Sequence, residues 1–505
     1  MPDGLTLERS EALARECAQF RTFGHFINNE WVGGHGGATI ELSNPATGEL
    51  LGAIQAGDEV DIDRAVRAAH AAFPAWARSE PLERQRILLE IAARLRRRQA
   101  EFAMFETLNN GKPITDALND VSHCITQFEY YAGAPAFLSG ELLDFPDCSA
   151  LVHREPVGVV AQIIPWNVPL VMTAMKLAPA LAAGCTIVLK PAETVCLAVL
   201  EFIAEVADLL PRGVVNVVTG YGAAIGEALV AHPLVRKVAF TGSRATAQKI
   251  IQYASVNLIP QTMELGGKSA NIVCEDADLD AAAESIVLTT IFNKGEVCLA
   301  GSRVFAHRRI HDALIARIGE RIAKVRQGNP IDPATQLGAQ ASVAQFDRIL
   351  SYIDLGRAEG AAVVHGGGRA SVPGLDKGLF IQPTIFTGVR NDMRIAQEEI
   401  FGPVTGIIAW DGEEELIRQV NDSVYGLAGG LWTRNLARAH RLSRAMDTGT
   451  VWVNRYYNVR PGMPLGGTRQ SGFGRESAFA PLEHYTHSKC VVVNLAEGEI
   501  GIFNH

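Results

Sequence analysis

The chain has 505 residues, 46 Lys and Arg against 55 Asp and Glu, and a formal net charge of −9. That length exceeds what a single hydrophobic core supports, so two or three domains are expected, and the acidic balance argues against nucleic acid or an anionic membrane as a partner. Eight cysteines scattered without a Cys-x-x-Cys pair argue against a disulfide framework or a metal finger, so reduced thiols, a cytoplasmic location and no metal are expected. Residues 1–20 read as a peripheral helix with no apolar signal core, and no later window reaches the ~18 apolar residues of a membrane span. Residues 26–32 read as a hairpin turned at Asn28-Asn29. A helix is expected from Asp58 through Phe73. Another is expected from about Pro81, with Leu88, Ile91, Leu95, Phe102 and Phe105 on one face until Asn109-Asn110-Gly111. Arg94, Arg96, Arg97 and Arg98, beside Glu90 and Glu101, read as a solvated helix face. Residues 158–164, 186–190, 214–218 and 235–240 are apolar and β-branched, and they alternate with helical stretches at 171–183, 196–210 and 224–231. This is the pattern of parallel βα units covered on both faces. A second α/β block follows, with strands at 269–273 and 303–306 and helices at 278–292 and 310–327.

Sheets of this kind bind ligands in the loops at the carboxyl ends of their strands. Those loops carry Trp166, Asn167, Lys190, Glu193, Gly220, Gly222, Gly242 and Ser243, a candidate dinucleotide site. Gly220, Gly222 and Gly226 are spaced one residue wider than Gly-x-Gly-x-x-Gly, and each glycine taken singly also suits a turn. Gly242-Ser243 ahead of a helix still offers backbone amides to a pyrophosphate. An acidic Glu193 directly after a strand favours a free ribose 2′-hydroxyl over a 2′-phosphate. Cys298, among the small residues of 295–303, is a candidate nucleophile, and Glu264, ahead of Leu265-Gly266-Gly267, is its candidate base. A cysteine beside Val297 and Leu299 also suits a buried small hydrophobe. Gly366-Gly367-Gly368 reads as a surface hairpin, whereas Glu398-Glu399 before Phe401-Gly402-Pro403 carries more charge than a core needs.

Taken together, Pro165-Trp166-Asn167-Val168-Pro169, Leu189-Lys190-Pro191-Ala192-Glu193, Phe240-Thr241-Gly242-Ser243, residues 263–268, 292–303, 398–404 and 464–476 resemble the aldehyde dehydrogenase superfamily, in its NAD(P)-dependent, non-acylating branch. The resemblance implies two doubly wound parallel-sheet α/β domains and a small β oligomerisation domain. A dinucleotide-binding domain would span 1–137 and 157–262, a catalytic domain 263–480, and the oligomerisation domain 138–156 and 481–505. A homodimer or homotetramer is implied. By the same resemblance Cys298 attacks the aldehyde, Asn167 and the Cys298 amide hold the oxyanion, Glu264 activates the hydrolytic water, and Glu476 serves a proton relay or a structural salt bridge. The implied cofactor residues are Ile163, Trp166, Lys190, Glu193, Gly222, Gly226, Phe240, Gly242, Ser243, Leu265, Glu399 and Phe401. NAD is the expected cofactor; Arg244 and Ala247 depart from the family wording and leave NADP as the alternative. Val168, Val171, Met172, Met175, Phe292, Val297, Leu299, Tyr457, Val459 and Leu465 match the family's substrate tunnel and are nearly all apolar, which suits an aliphatic, terpenoid or aromatic aldehyde. Arg455 and Arg460 leave a carboxylate-bearing semialdehyde as the alternative. Glu264 argues against a coenzyme-A-acylating enzyme. The presence of Cys298, Asn167, Glu264 and Glu399 argues against a non-catalytic scaffold.

Overall fold

The computed structural model describes residues 5–498; residues 1–4 and 499–505, which the expected outer boundaries include, lie outside the described residues. An N-terminal helix covers Leu7–Cys17, and the expected hairpin follows as His25–Ile27 and Glu30–Val32, with Asn28 and Asn29 at φ 54° and 61° in its turn. The Asp58 carboxylate accepts the backbone N–H groups of Val60 and Asp61 and so starts helix Glu59–Trp76. The single helix expected from Pro81 is two. Arg98, at φ −114° and ψ 25°, breaks it into Pro81–Arg97 and Gln99–Asn110. The second piece is almost wholly buried, because both of its phenylalanines and Met104 face the core. A 19-residue helix, Ile114–Ala132, was not among the expected elements. It packs between Pro81–Arg97 and Pro169–Ala183.

The first large sheet runs Gly472–Phe473, Gln261–Glu264, Val235–Thr241, Val159–Ile163, Thr186–Lys190, Val215–Val217, His25–Ile27, Glu30–Val32. Its five central strands are parallel. Strands Val159–Ile163 and Thr186–Lys190 are buried along their whole length, as uninterrupted apolar runs require when helices cover both faces. The register aligns Phe240 with Ile163, Ile163 with Lys190, and Thr241 with Glu264, so the loops that follow gather at one edge. Gly222 opens helix Gly222–Val230, two residues earlier than expected.

The second sheet orders Ala362–His365, Thr384–Thr387, Val404–Trp410, Arg303–His307, Ala270–Val273, Ala428–Trp432, Thr450–Val453, parallel except for the first. The helix expected over 310–327 ends at Ile322. Residues 265–269 cross from the first sheet to the second, and the small third sheet pairs Thr486–Asn494 with Cys148–Pro156 and Glu141–Asp144.

Candidate active site

Cys298 leaves helix Leu279–Ile291 by way of three consecutive left-handed residues, Asn293 (φ 43°), Lys294 (φ 61°) and Gly295 (φ 73°). Only glycine takes that conformation freely, so neighbours must hold Asn293 and Lys294 in place. The Asn293 N–H donates to Asp116 Oδ2 at 2.9 Å, and Lys294 Nζ donates to the Asn110 carbonyl at 2.9 Å and pairs with Glu296 at 2.7 Å. From the other side, residues 265–269 bring Gly267 against the loop. A Cβ there would stand 2.6 Å from the Cys298 carbonyl oxygen, so the approach needs a glycine.

A cleft of about 460 Å³ runs between the two large sheets, lined by Asn167, Glu264 and Cys298 at one end and by Gly242, Ser243 and Arg244 along its length. The Asn167 side-chain amide is 5% exposed and donates to the Glu296 carbonyl at 2.9 Å, which leaves its second N–H for the cleft. Glu264 is buried with Oε1 lacking a hydrogen-bond partner, an orphaned acceptor of the kind a water or ligand satisfies. Burial, reinforced by the Glu476 charge, raises the Glu264 carboxyl well above its ordinary value. Burial, with the charges of Glu399 and Glu264, pushes the Cys298 thiol up to about 12, against the backbone amides of Cys298 and Leu299, which favour the thiolate. Glu476 pairs with the buried Lys176 at 2.7 Å. Beside them Lys237, buried and donating to Thr262 Oγ1 at 3.3 Å, is pushed down to about 7 by desolvation.

The cleft fits a dinucleotide. Ser243 caps helix Arg244–Ala254, whose first residues line the cavity, and the Trp166 and Phe401 rings meet edge-on at 5.3 Å. Glu399 accepts the Gly267 N–H at 3.0 Å and is pushed up to about 7 by burial. Lys190 donates to Glu193 at 3.0 Å, and a Cβ on Gly222 would reach Lys190 Cε only at 4.0 Å. Gly226 has open space around it. Leu265 lines the cleft. Ile163 and Phe240 are buried in the core beneath, where the Phe240 ring closes on Gly242 so tightly that a Cβ there would stand 2.6 Å away. Arg244 donates to Gln470 Oε1 at 2.7 Å with its guanidinium 6.0 Å from the Tyr425 ring, and Ala247 is buried.

Of the substrate candidates, Val168 and Met172 line the cleft. Val297, Leu299, Tyr457, Val459 and Leu465 cluster with Cys298, and the Phe292 ring packs 5.4 Å from that of Tyr457. Val171 and Met175 belong to the main core. Lys176, Lys237, Asn110 and Asn293 were not singled out from the sequence. A lysine within a helix or strand reads as solvated, and an asparagine within two residues of a glycine reads as a turn, so no local signal marks them.

A thiol, an orphaned buried carboxylate and a side-chain amide meet in a cleft on a doubly wound sheet, in a fold of the dinucleotide-binding α/β class. Residues 31–491 match the description "Aldehyde dehydrogenase family". Among relatives, an aldehyde dehydrogenase of Deinococcus radiodurans is 43% identical over 491 residues, covering 96% of this chain and 95% of its own. A fluoroacetaldehyde dehydrogenase of Streptantibioticus cattleyicolor is 43% identical, with 95% and 96% covered. Among solved structures, an indole-3-acetaldehyde dehydrogenase of P. syringae with NAD+ superposes at TM-score 0.94 with 40% identity, over 97% of this chain and all of that one. A betaine aldehyde dehydrogenase of Staphylococcus aureus with NAD+ superposes at TM-score 0.94 with 34% identity, over 98% and 99%. The chain belongs to the aldehyde dehydrogenase family, and its activity is that of an aldehyde dehydrogenase.

Proposed function

We propose that the chain oxidises an apolar aldehyde (aliphatic, terpenoid or aromatic) to its carboxylic acid with NAD. The observation that carries this reading is the meeting of Cys298, Asn167 and Glu264 in one cleft. Cys298 Sγ adds to the aldehyde carbon as a thiolate, and the carbonyl oxygen becomes an oxyanion held by the Asn167 amide and the Cys298 N–H, donors of a kind worth about 3 kcal/mol each. Bound NAD supplies the hydride acceptor, and the thiohemiacetal becomes a thioester on Cys298. Glu264 takes a proton from the water that attacks this thioester, releasing the acid and the free thiol. Glu476, paired with Lys176, lies close enough for its charge to raise the Glu264 carboxyl, and it either relays the Glu264 proton or holds the pair in place.

Trp166, Gly242, Ser243, Leu265, Glu399 and Phe401 would hold the cofactor along the cleft, and Lys190 with Glu193 its adenosine ribose, next to Gly222 and Gly226. Glu193 beside a ribose repels a 2′-phosphate, and Arg244 turned toward Gln470 offers no counter-charge at that end. Both support NAD over NADP. The apolar cluster around Cys298 supports a hydrophobic substrate. Arg455 and Arg460, exposed and outside any ion pair among the described residues, are the cations that the second reading, a semialdehyde, would use. Eight unpaired cysteines support a cytoplasmic location. A spectrophotometric screen of NAD and NADP against medium-chain, aromatic and carboxylate-bearing aldehydes tests both readings. The expected result is a kcat/KM at least ~10-fold higher for apolar aldehydes with NAD, since ~1.4 kcal/mol of differential binding suffices. A preference for semialdehydes would replace the first reading with the second.

A further inference from the structure

Lys294 is a cation with no exposed atom to solvate it, sitting two residues before Glu296 and four before Cys298, in a backbone conformation that an unbranched L-residue seldom takes. Its surroundings explain the position. Lys294 Nζ donates to the Asn110 carbonyl at 2.9 Å and pairs with Glu296 Oε2 at 2.7 Å, and Glu296 Oε1 accepts the Ala341 N–H at 3.1 Å. Asn110 in turn donates from Nδ2 to the Trp166 carbonyl at 2.9 Å, and Asn293 Nδ2 donates to the Asn167 carbonyl at 3.0 Å. The ring closes where Asn167 Nδ2 donates to the Glu296 carbonyl at 2.9 Å. Asn110, Asn167, Asn293, Lys294 and Glu296 are all buried.

We propose that Lys294 is a positioning residue for the oxyanion donor: through Asn110 on one side and Glu296 on the other it fixes the backbone of Asn167 and the orientation of its side-chain amide. The inference rests on the reading of Asn167 as an oxyanion donor given above. An amide free to turn on its χ2 presents its oxygen to the cleft as readily as its N–H, so its use as a donor depends on a partner that admits one orientation only. The Glu296 carbonyl is that partner, an acceptor that takes the N–H and rejects the oxygen. The carbonyl is held where it is by the side chain of its own residue, pinned between Lys294 and the Ala341 amide. Lys294 touches neither Asn167 nor Cys298 by a hydrogen bond, so its effect on the chemistry passes through the ring.

The test compares full-length Lys294→Met, the charge-neutral double variant Lys294→Met/Glu296→Gln, and Asn167→Ala by two rates on the same Cys298. Acylation by an aldehyde, followed as the pre-steady-state burst of NADH, builds an oxyanion; alkylation by iodoacetamide displaces iodide and builds none. The double variant removes the buried unpaired carboxylate that the single variant leaves, so it keeps the experiment informative if Lys294→Met folds poorly. Acylation is expected to fall ~10- to 100-fold in the lysine variants, with iodoacetamide alkylation within twofold of wild type. Acylation within twofold of wild type in the double variant overturns the inference, as does an equal fall in both rates, which would assign Lys294 to the thiol itself. If Asn167→Ala leaves acylation unchanged, the oxyanion reading fails, independently of Lys294.

Discussion

At the scale of residues, the cleft places two acidic groups where burial disfavours the charge that their chemistry needs. Glu264 acts as a base only when ionised and Cys298 attacks only as a thiolate, yet the fold raises both groups, the thiol to about 12. Both charged forms therefore gain population as pH rises, and kcat/KM is expected to climb from pH 7 toward pH 10. A pH–rate profile at saturating cofactor checks this, and a profile that falls over that range contradicts it. Stability runs the other way for Glu399, raised from 4.5 to about 7. A group whose folded-state value is raised contributes stability fully present below its unfolded value and lost as pH rises through about 7. Glu399→Gln, neutral throughout, is therefore expected to gain stability relative to wild type between pH 4.5 and pH 7, read by thermal melts across that window. Cys298 and Glu264 were legible because each sits in a stretch whose small and glycine neighbours set it apart, whereas the role of Asn167 came from the family resemblance of Pro165-Trp166-Asn167-Val168-Pro169. Sequence reading passed over Lys176, Lys237 and Lys294, whose burial comes from elements far away in the chain.

At the scale of elements, the loop of residues 292–298 is held by side chains rather than by regular hydrogen bonding. Asn293→Ala removes two donations, to the Asn167 and Glu296 carbonyls, and puts a residue less suited to positive φ at 43°. A loss of about 2 kcal/mol is expected in denaturant unfolding, with activity falling alongside. Gly267→Ala places a methyl 2.6 Å from the Cys298 carbonyl oxygen. The loop must shift, and a fall of at least ~10-fold in kcat is expected, because a displacement near 1 Å is enough for that. The parallel strands were legible as apolar runs, since burial on both faces leaves no alternation to misread. The break at Arg98 and the helix Ile114–Ala132 were not. An arginine carries no helix-stop signal, and the stretch after Asn110-Gly111-Lys112-Pro113 follows the strongest local turn signal in that region.

At the scale of the whole molecule, the third sheet leaves Val491, Val492 and Val493 exposed on strand Thr486–Asn494, with Leu142, Leu143 and Phe145 nearby in the same sheet region. An exposed apolar strand at a sheet edge invites a second chain, and a homodimer or homotetramer is our reading of it. Val492→Lys is expected to shift the mass measured by light scattering to a smaller assembly; an unchanged mass counts against this face as the interface. Residues 265–269 pass between the two large sheets at the point where Glu264 and Cys298 face one cleft. The central claim is that a thioester forms on Cys298 and Glu264 serves its hydrolysis. It is tested most directly by intact-protein and peptide mass spectrometry of Glu264→Gln after mixing with NAD and a medium-chain aldehyde. One NADH per chain and one acyl adduct on the Cys298 peptide that decays slowly are expected. Wild-type turnover without an adduct, or an adduct on another cysteine, would contradict it.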